Sequence, residues 1–160
     1  MAAPVTLPSP DERRSICAVM TAGMKSRVPQ NRALGLEIVD YGEAEVWMRM
    51  PYAPHLVGNP ASGVLHGGAV TTLLDAACGF ATMLALGGPS AIATLDLRVD
   101  WLKPAPPGLA VIAHTQCFKV TRHVCFVRGT AYATGPHDPI ASVAATFARK
   151  AGKPSKGDVR

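Results

Sequence analysis

Hydrophobic and polar positions recur with two distinct periods along this chain. After Ser9 the period is helical: Ile16, Val19, Met20 and Met24 follow one another at helical spacing, and Ser9-Pro10-Asp11-Glu12 reads as a capping box with proline at the first helical position. Pro29 and Asn31 end this helix. Residues 36–41 and 44–50 then read as strands joined around Gly42-Glu43. In the second, Ala44, Val46, Met48 and Met50 alternate with Glu43, Glu45, Trp47 and Arg49, as in a strand with one buried face. A loop over residues 51–63 carries three prolines and two glycines together with His55 and Asn59, the composition of a connection with a function. Residues 69–86 are largely apolar and hold a single charge, Asp75. After Gly87-Gly88-Pro89 come four strand-like segments, 91–102, 109–120, 124–134 and 140–149. The stretches between them are turn-rich, so consecutive antiparallel pairing is the simplest topology.

The apolar segment reaches the lower length threshold of a membrane span, roughly 18 residues. Its Thr71, Thr72, Gly79 and Thr82, its alanines and the alternating strands after it favour a buried helix wrapped by a sheet, with no membrane partner. The 160 residues, 48% of them hydrophobic, suit one compact core. We therefore expect an N-terminal extension with a helix over residues 1–30, one α+β domain over 31–150 and a flexible basic tail over 151–160. Trp47, Trp101, Phe80, Met83 and Phe118 are expected in the core, Phe80 and Met83 also being placed to line a pocket beyond Asp75.

Charge and cysteine usage narrow the partners. The net charge of +5 has no basic run interleaved with aromatics, which argues against nucleic acid and for a small anionic ligand, although Lys150, Lys153, Lys156 and Arg160 place part of the excess in the tail. Cys17, Cys78, Cys117 and Cys125 form no C-x-x-C pair, and no secretory leader opens the sequence. A cytoplasmic location without disulfides or zinc is expected. His114, His123 and His137 have no metal-ligand spacing.

The candidate chemistry lies at the start of the apolar helix, in Gly63-Val64-Leu65-His66-Gly67-Gly68. The first-turn N–H groups of a helix have no intrahelical partner and carry the positive end of its dipole. Two residues without side chains there let an anion, or a carbonyl turning into one, approach closely, and Gly67 N–H is the natural donor. Asp75 needs a partner or a reaction to justify a charge in apolar surroundings. Gly67 and Asp75 are eight residues apart, roughly 12 Å along a helix at 1.5 Å per residue, too far to act on one carbon. If both take part, Asp75 of one copy must face Gly67 of another across a twofold axis.

These residues resemble a known family. The order of two strands, a loop, Gly-x-x-His-Gly-Gly opening a long helix, an acidic residue nine positions after the histidine and four further strands is similar, over about residues 30–150, to the hotdog-fold acyl-CoA thioesterases. The phenylacetate-pathway (PaaI-like) branch is the nearest in pattern. The run from Leu95 to Ala105 is also similar to the family's long strand ending before a Pro-Ala turn. The resemblance implies an antiparallel sheet wrapped around a central helix, the hotdog fold, with the N-terminal helix as an addition. It implies hydrolysis of an acyl-CoA to free acid and CoA, the acyl group being aromatic, such as phenylacetyl, or medium-chain. Asp75 matches the carboxylate acting as general base or nucleophile, Gly67 the oxyanion donor, His66 and Asn59 the groups that position or polarise the thioester, and Thr94 a hydroxyl orienting the attacking water. Asn59 stands one residue further from His66 than in the family pattern, so His55 is a second candidate. Arg98 and Arg122 are the candidate contacts to the phosphates of CoA, which enters as part of the substrate; no metal or other cofactor is implied. Self-association as a homodimer, or further as a homotetramer, completes the expectation. Two other readings use the same scaffold: a hydratase or dehydratase, against which the His-Gly-Gly run argues, and a non-catalytic acyl-CoA-binding module.

Overall fold

Ser9 starts the first helix as its composition demands. Its hydroxyl accepts the Glu12 N–H, the Glu12 carboxylate accepts the Ser9 N–H at 2.8 Å, and Pro10 fills the first helical position, so α1 runs Pro10–Arg27. The computed structural model describes residues 9–150; the tail expected over 151–160 lies outside the described residues. The buried stripe of α1 is not the expected one. Cys17 and Met24 are buried and Met20 partly so, whereas Ile16 and Val19 are exposed, Val19 by 73%. Polar anchors set the rotation. The Arg13 guanidinium pairs with Asp40 and donates to the Tyr41 carbonyl at 2.9 Å, and the Thr21 hydroxyl accepts the Ile38 N–H at 2.9 Å. Positions 13, 17, 21 and 24 share one face, and satisfying them turns Ile16 and Val19 outward.

A short helix, α2 (Pro29–Ala33), leads into β1 (Glu37–Tyr41) and β2 (Glu45–Met50). The predicted loop holds a 3-10 turn at Pro54–Leu56 and a small ladder of β3 (Val57–Asn59) with β4 (Val64–Leu65). The central helix α3 spans Gly67–Ala85, followed by β5 (Ile92–Trp101), β6 (Val111–Val120), β7 (Val124–Tyr132) and β8 (Pro139–Arg149). The main sheet is antiparallel with order β1-β2-β6-β7-β8-β5. Consecutive pairing therefore holds for β1-β2 and β6-β7-β8 but not for β5, which pairs with β8 at the edge while β6 joins β2. The connections explain it. The turns after β6 and β7 are short enough for hairpins, whereas the segment between β5 and β6 contains Pro104, Pro106 and Pro107, which lack the N–H of a tight ladder and carry the chain across the sheet.

Along α3, Val70, Leu73, Leu74, Ala77, Cys78 and Ala81 recur every three or four residues and are buried. They meet the inward residues of β2, Val46, Met48 and Met50, and those of β6, β7 and β8. By length and mean hydropathy α3 equals a membrane span, yet its apolar stripe is spent on the sheet that curls around it.

Of the residues expected in the core, Phe80 is half-buried and packs against it and Met83 is half-buried, whereas Trp101 and Phe118 are about half exposed. Trp47 sits on the outer face of the sheet, stacked on His114 at 4.1 Å. Phe118 occupies a β-bulge between Cys117 and Lys119, which turns it outward over Phe126 and beneath the Arg128 guanidinium.

All four thiols are buried. Burial pushes the Cys117 thiol up to about 11 and raises those of Cys17, Cys78 and Cys125 as well. A raised thiol pKa leaves little thiolate at pH 8. The native protein is accordingly expected to be silent toward a thiol-reactive dye at that pH, and to titrate four thiols after unfolding. Rapid native labelling would contradict this packing.

Candidate active site

The β3–β4 ladder delivers His66 to the start of α3. The His66 N–H donates to the Leu56 carbonyl at 2.8 Å, and the two segments lie so close that a Cβ on Gly58 would stand 2.8 Å from the His66 Cα. Only glycine permits that approach. His66 is the N-cap of α3: its Nδ1 accepts the Gly68 N–H at 2.9 Å. With Nδ1 accepting, the ring's donor is Nε2–H. The Gly67 N–H, next to it, has no acceptor among the described residues.

A β-bulge in β5 brings the remaining groups to α3. Ile92 and Thr94 pair with Arg149 and Phe147, then the register shifts between Thr94 and Asp96, and Leu97, Val99 and Trp101 pair with Ala145, Val143 and Ala141. Residues 143, 145 and 147 are buried beneath α3. The extra residue, Leu95, is exposed by 59%, and it inverts the alternation so that even positions before it and odd positions after it share the helix side. One stripe of α3, Gly67, Thr71, Asp75 and Gly79, thus runs antiparallel to β5. The Trp101 ring lies against Gly67, the Thr94 hydroxyl donates to Asp75 Oδ1 at 2.9 Å, and Ile92 lies beside Gly79. Asp75 is half-buried, and Thr94 is its side-chain partner among the described residues.

Of the groups expected beside the thioester, Asp75 and Thr94 are brought together, and His66 and Gly67 share the helix start. Asn59 is not joined to them by a hydrogen bond. Its Oδ1 accepts the Ala61 N–H at 3.0 Å and its carbonyl the Gly63 N–H at 2.8 Å, bonds that shape the loop. His55 Nε2 bonds the Ala33 carbonyl at 3.2 Å. Arg98 is engaged by Asp100 at 3.0 Å on the same strand. Arg122 is exposed in the β6–β7 turn, at the end of the sheet where β5 begins. Lys103 pairs with Asp138, whose carboxyl it and the Thr134 hydroxyl hold below the usual range. No metal-competent cluster of His, Cys, Asp or Glu occurs among the described residues. Two contacts escaped the sequence reading. Trp101 over Gly67 depends on the bulge, which leaves no mark in composition, and Gly58 beneath His66 shows only as one glycine among fifteen.

The chain matches known proteins over this region. The family description "Thioesterase superfamily" fits residues 62–140, from the β3–β4 turn to the start of β8. The medium/long-chain acyl-CoA thioesterase YigI of Salmonella typhimurium is 36% identical over 93 residues, 48% of this chain and 58% of that protein. The chain spans about half the length of the curated relatives it matches. A Pseudomonas aeruginosa protein of solved structure superposes with a TM-score of 0.74 at 40% identity, covering 81% of this chain and 96% of that one. The E. coli PaaI protein of the phenylacetic acid degradation operon shares the fold, with a TM-score of 0.72 at 20% identity over 87% of this chain and 97% of that one. With its antiparallel sheet curled around α3 and these relatives, the chain belongs to the thioesterase superfamily and has the hotdog fold.

Proposed function

We propose that the protein is an acyl-CoA thioesterase that releases free acid and CoA at sites shared between two copies. The observation that carries this reading is the α3 stripe facing β5: a carboxylate held by a hydroxyl at Asp75 and Thr94, and, two turns away, the Gly67 N–H, which has no acceptor among the described residues. Superfamily membership and the thioesterase name of YigI support it.

The chemistry runs on these groups. Asp75 takes a proton from a water that Thr94 helps orient, and the water oxygen adds to the thioester carbonyl. Charge developing on the carbonyl oxygen is received by Gly67 N–H of the other copy, with His66 Nε2–H beside it. The tetrahedral intermediate collapses by breaking the C–S bond, and the departing sulfur takes up the proton held by Asp75. Water and thioester become acid and thiol with no other reactant.

The edge position of β5 supports a second copy. This strand pairs only with β8, and its other edge, with exposed Leu95 and Leu102 alongside, has no strand partner among the described residues. A ten-residue edge strand presents a row of backbone N–H and C=O groups that can pair with another chain. Antiparallel pairing of β5 with its twofold copy sets the Trp101 end of one strand against the Thr94 half of the other, which carries Asp75 toward the foreign Gly67. The exposed Arg122 is the better placed of the two arginines for CoA phosphates, Arg98 being tied to Asp100.

The test is thiol release from phenylacetyl-, octanoyl- and longer acyl-CoAs. Turnover supports the reading, and binding without turnover would favour an acyl-CoA-binding module. Hydration of crotonyl-CoA without thiol release would mark a hydratase. Thr94→Val removes the hydroxyl bonded to Asp75; kcat is expected to fall about tenfold, less than a fully buried bond to a charged group would give. Unchanged kcat would remove Thr94 from the mechanism.

A further inference from the structure

Trp101 has a place in this site that its composition did not suggest. Its Cζ2, Cη2 and Cε2 atoms lie 3.3, 3.6 and 3.9 Å from where a Cβ of Gly67 would be. The ring nevertheless keeps nearly half its surface open, 48% of the residue being exposed. The bulge at Leu95 is what turns it inward: without the extra residue, a β5 that presents Thr94 to Asp75 would present Trp101 to the outer face. An edge-strand irregularity thus serves both ends of the α3 stripe, and Val99 and Leu97 continue an apolar floor from Trp101 toward Thr94.

Resting on the thioesterase reading, we propose that Trp101 is a positioning and specificity residue, the wall that holds the thioester carbonyl against Gly67 N–H and selects acyl groups with an unbranched CH2 next to the carbonyl. A carbonyl oxygen accepting that N–H must come within about 3 Å of the nitrogen. Its neighbouring carbon then lies in van der Waals contact with the indole. A methylene fits beside the ring, whereas a branch or an aryl group attached directly to the carbonyl meets it. The same wall excludes water from the developing oxyanion, which strengthens the Gly67 hydrogen bond. Straight-chain and arylacetyl thioesters both satisfy the rule; isobutyryl and benzoyl thioesters do not.

The experiment has two readouts. The chain holds two tryptophans, and Trp47 is stacked on His114 on the outer face, so Trp47→Phe leaves Trp101 as the sole indole. Titration with a non-hydrolysable thioether analogue of octanoyl-CoA is expected to change its emission saturably. In parallel, Trp101→Ala is expected to lower kcat for octanoyl-CoA with a smaller change in KM. It should also shrink the preference for octanoyl- over isobutyryl- and benzoyl-CoA about tenfold, the scale on which apolar pockets discriminate small groups, while Trp101→Phe retains most of both. An emission that ignores saturating analogue, or that follows protein concentration alone, overturns the proposal, as does an unchanged preference in Trp101→Ala. A wild type that releases no thiol from any thioester overturns the thioesterase reading, and the emission titration still decides whether the wall meets the ligand.

Discussion

Asp75→Asn lowers kcat/KM by two or more orders of magnitude on every acyl-CoA the wild type hydrolyses, with the fold intact. Asparagine has the same shape, and its Oδ1 still accepts the Thr94 hydroxyl, so the α3–β5 contact survives. No ion pair involves Asp75 among the described residues, and its loss therefore breaks no charge partner. What disappears is the capacity to take a proton from water, a contribution of about 10²–10⁴ in rate. Steady-state thiol release beside a thermal melt checks both halves. A variant with a native melt and near wild-type turnover would exclude Asp75 as base or nucleophile.

Gly67→Pro is expected to cost about 10²–10³ in kcat, the effect of deleting one oxyanion donor. The position suits the substitution unusually well. Gly67 is the first residue of α3, where proline is favoured and its missing N–H breaks no helical bond. His66, before it, has φ −64° and ψ 131°, the extended conformation that a residue preceding proline adopts. Proline adds a ring as well as removing the donor, so Gly67→Ala serves as the control: it keeps the N–H and adds only a methyl, 3.3 Å from the Trp101 ring. The alanine variant should retain more activity than the proline variant, and should regain some when Trp101 is replaced by phenylalanine. Equal losses in both would assign the effect to crowding and remove the N–H from the mechanism.

Features fixed by neighbouring residues were legible in the sequence. The capping box at Ser9, the alternation from Val46 to Met50 and the apolar stripe of α3 each depend on contacts a few positions apart, and the structure keeps them. The placement of His66 and Gly67 at a helix start, with Asp75 two turns on, was legible for the same reason, since one helix sets their spacing. What escaped is non-local. The pairing of β5 with β8 follows from a proline-rich crossing of the sheet, and the rotation of α1 from Arg13 and Thr21 finding partners on β1. Hydrophobicity alone suggests a core place for Trp101 and Phe118, yet the β6 bulge turns Phe118 outward, and the β5 bulge brings Trp101 only as far as Gly67, where it stays half exposed. Asn59 and His55 match a chemical role by type, while their bonds in the fold are Asn59 Oδ1 to the Ala61 N–H and His55 Nε2 to the Ala33 carbonyl, the latter joining residues that no short-range pattern pairs.

The most direct test of a site shared between copies is a mixed dimer of Asp75→Asn and Gly67→Pro chains, co-expressed with different tags and purified through both. One of its two sites would combine an intact Asp75 with an intact Gly67 while the other carries both lesions, so about half the wild-type kcat per dimer is expected to return from two nearly inactive parents. Activity no higher than that of the parents would contradict the shared site.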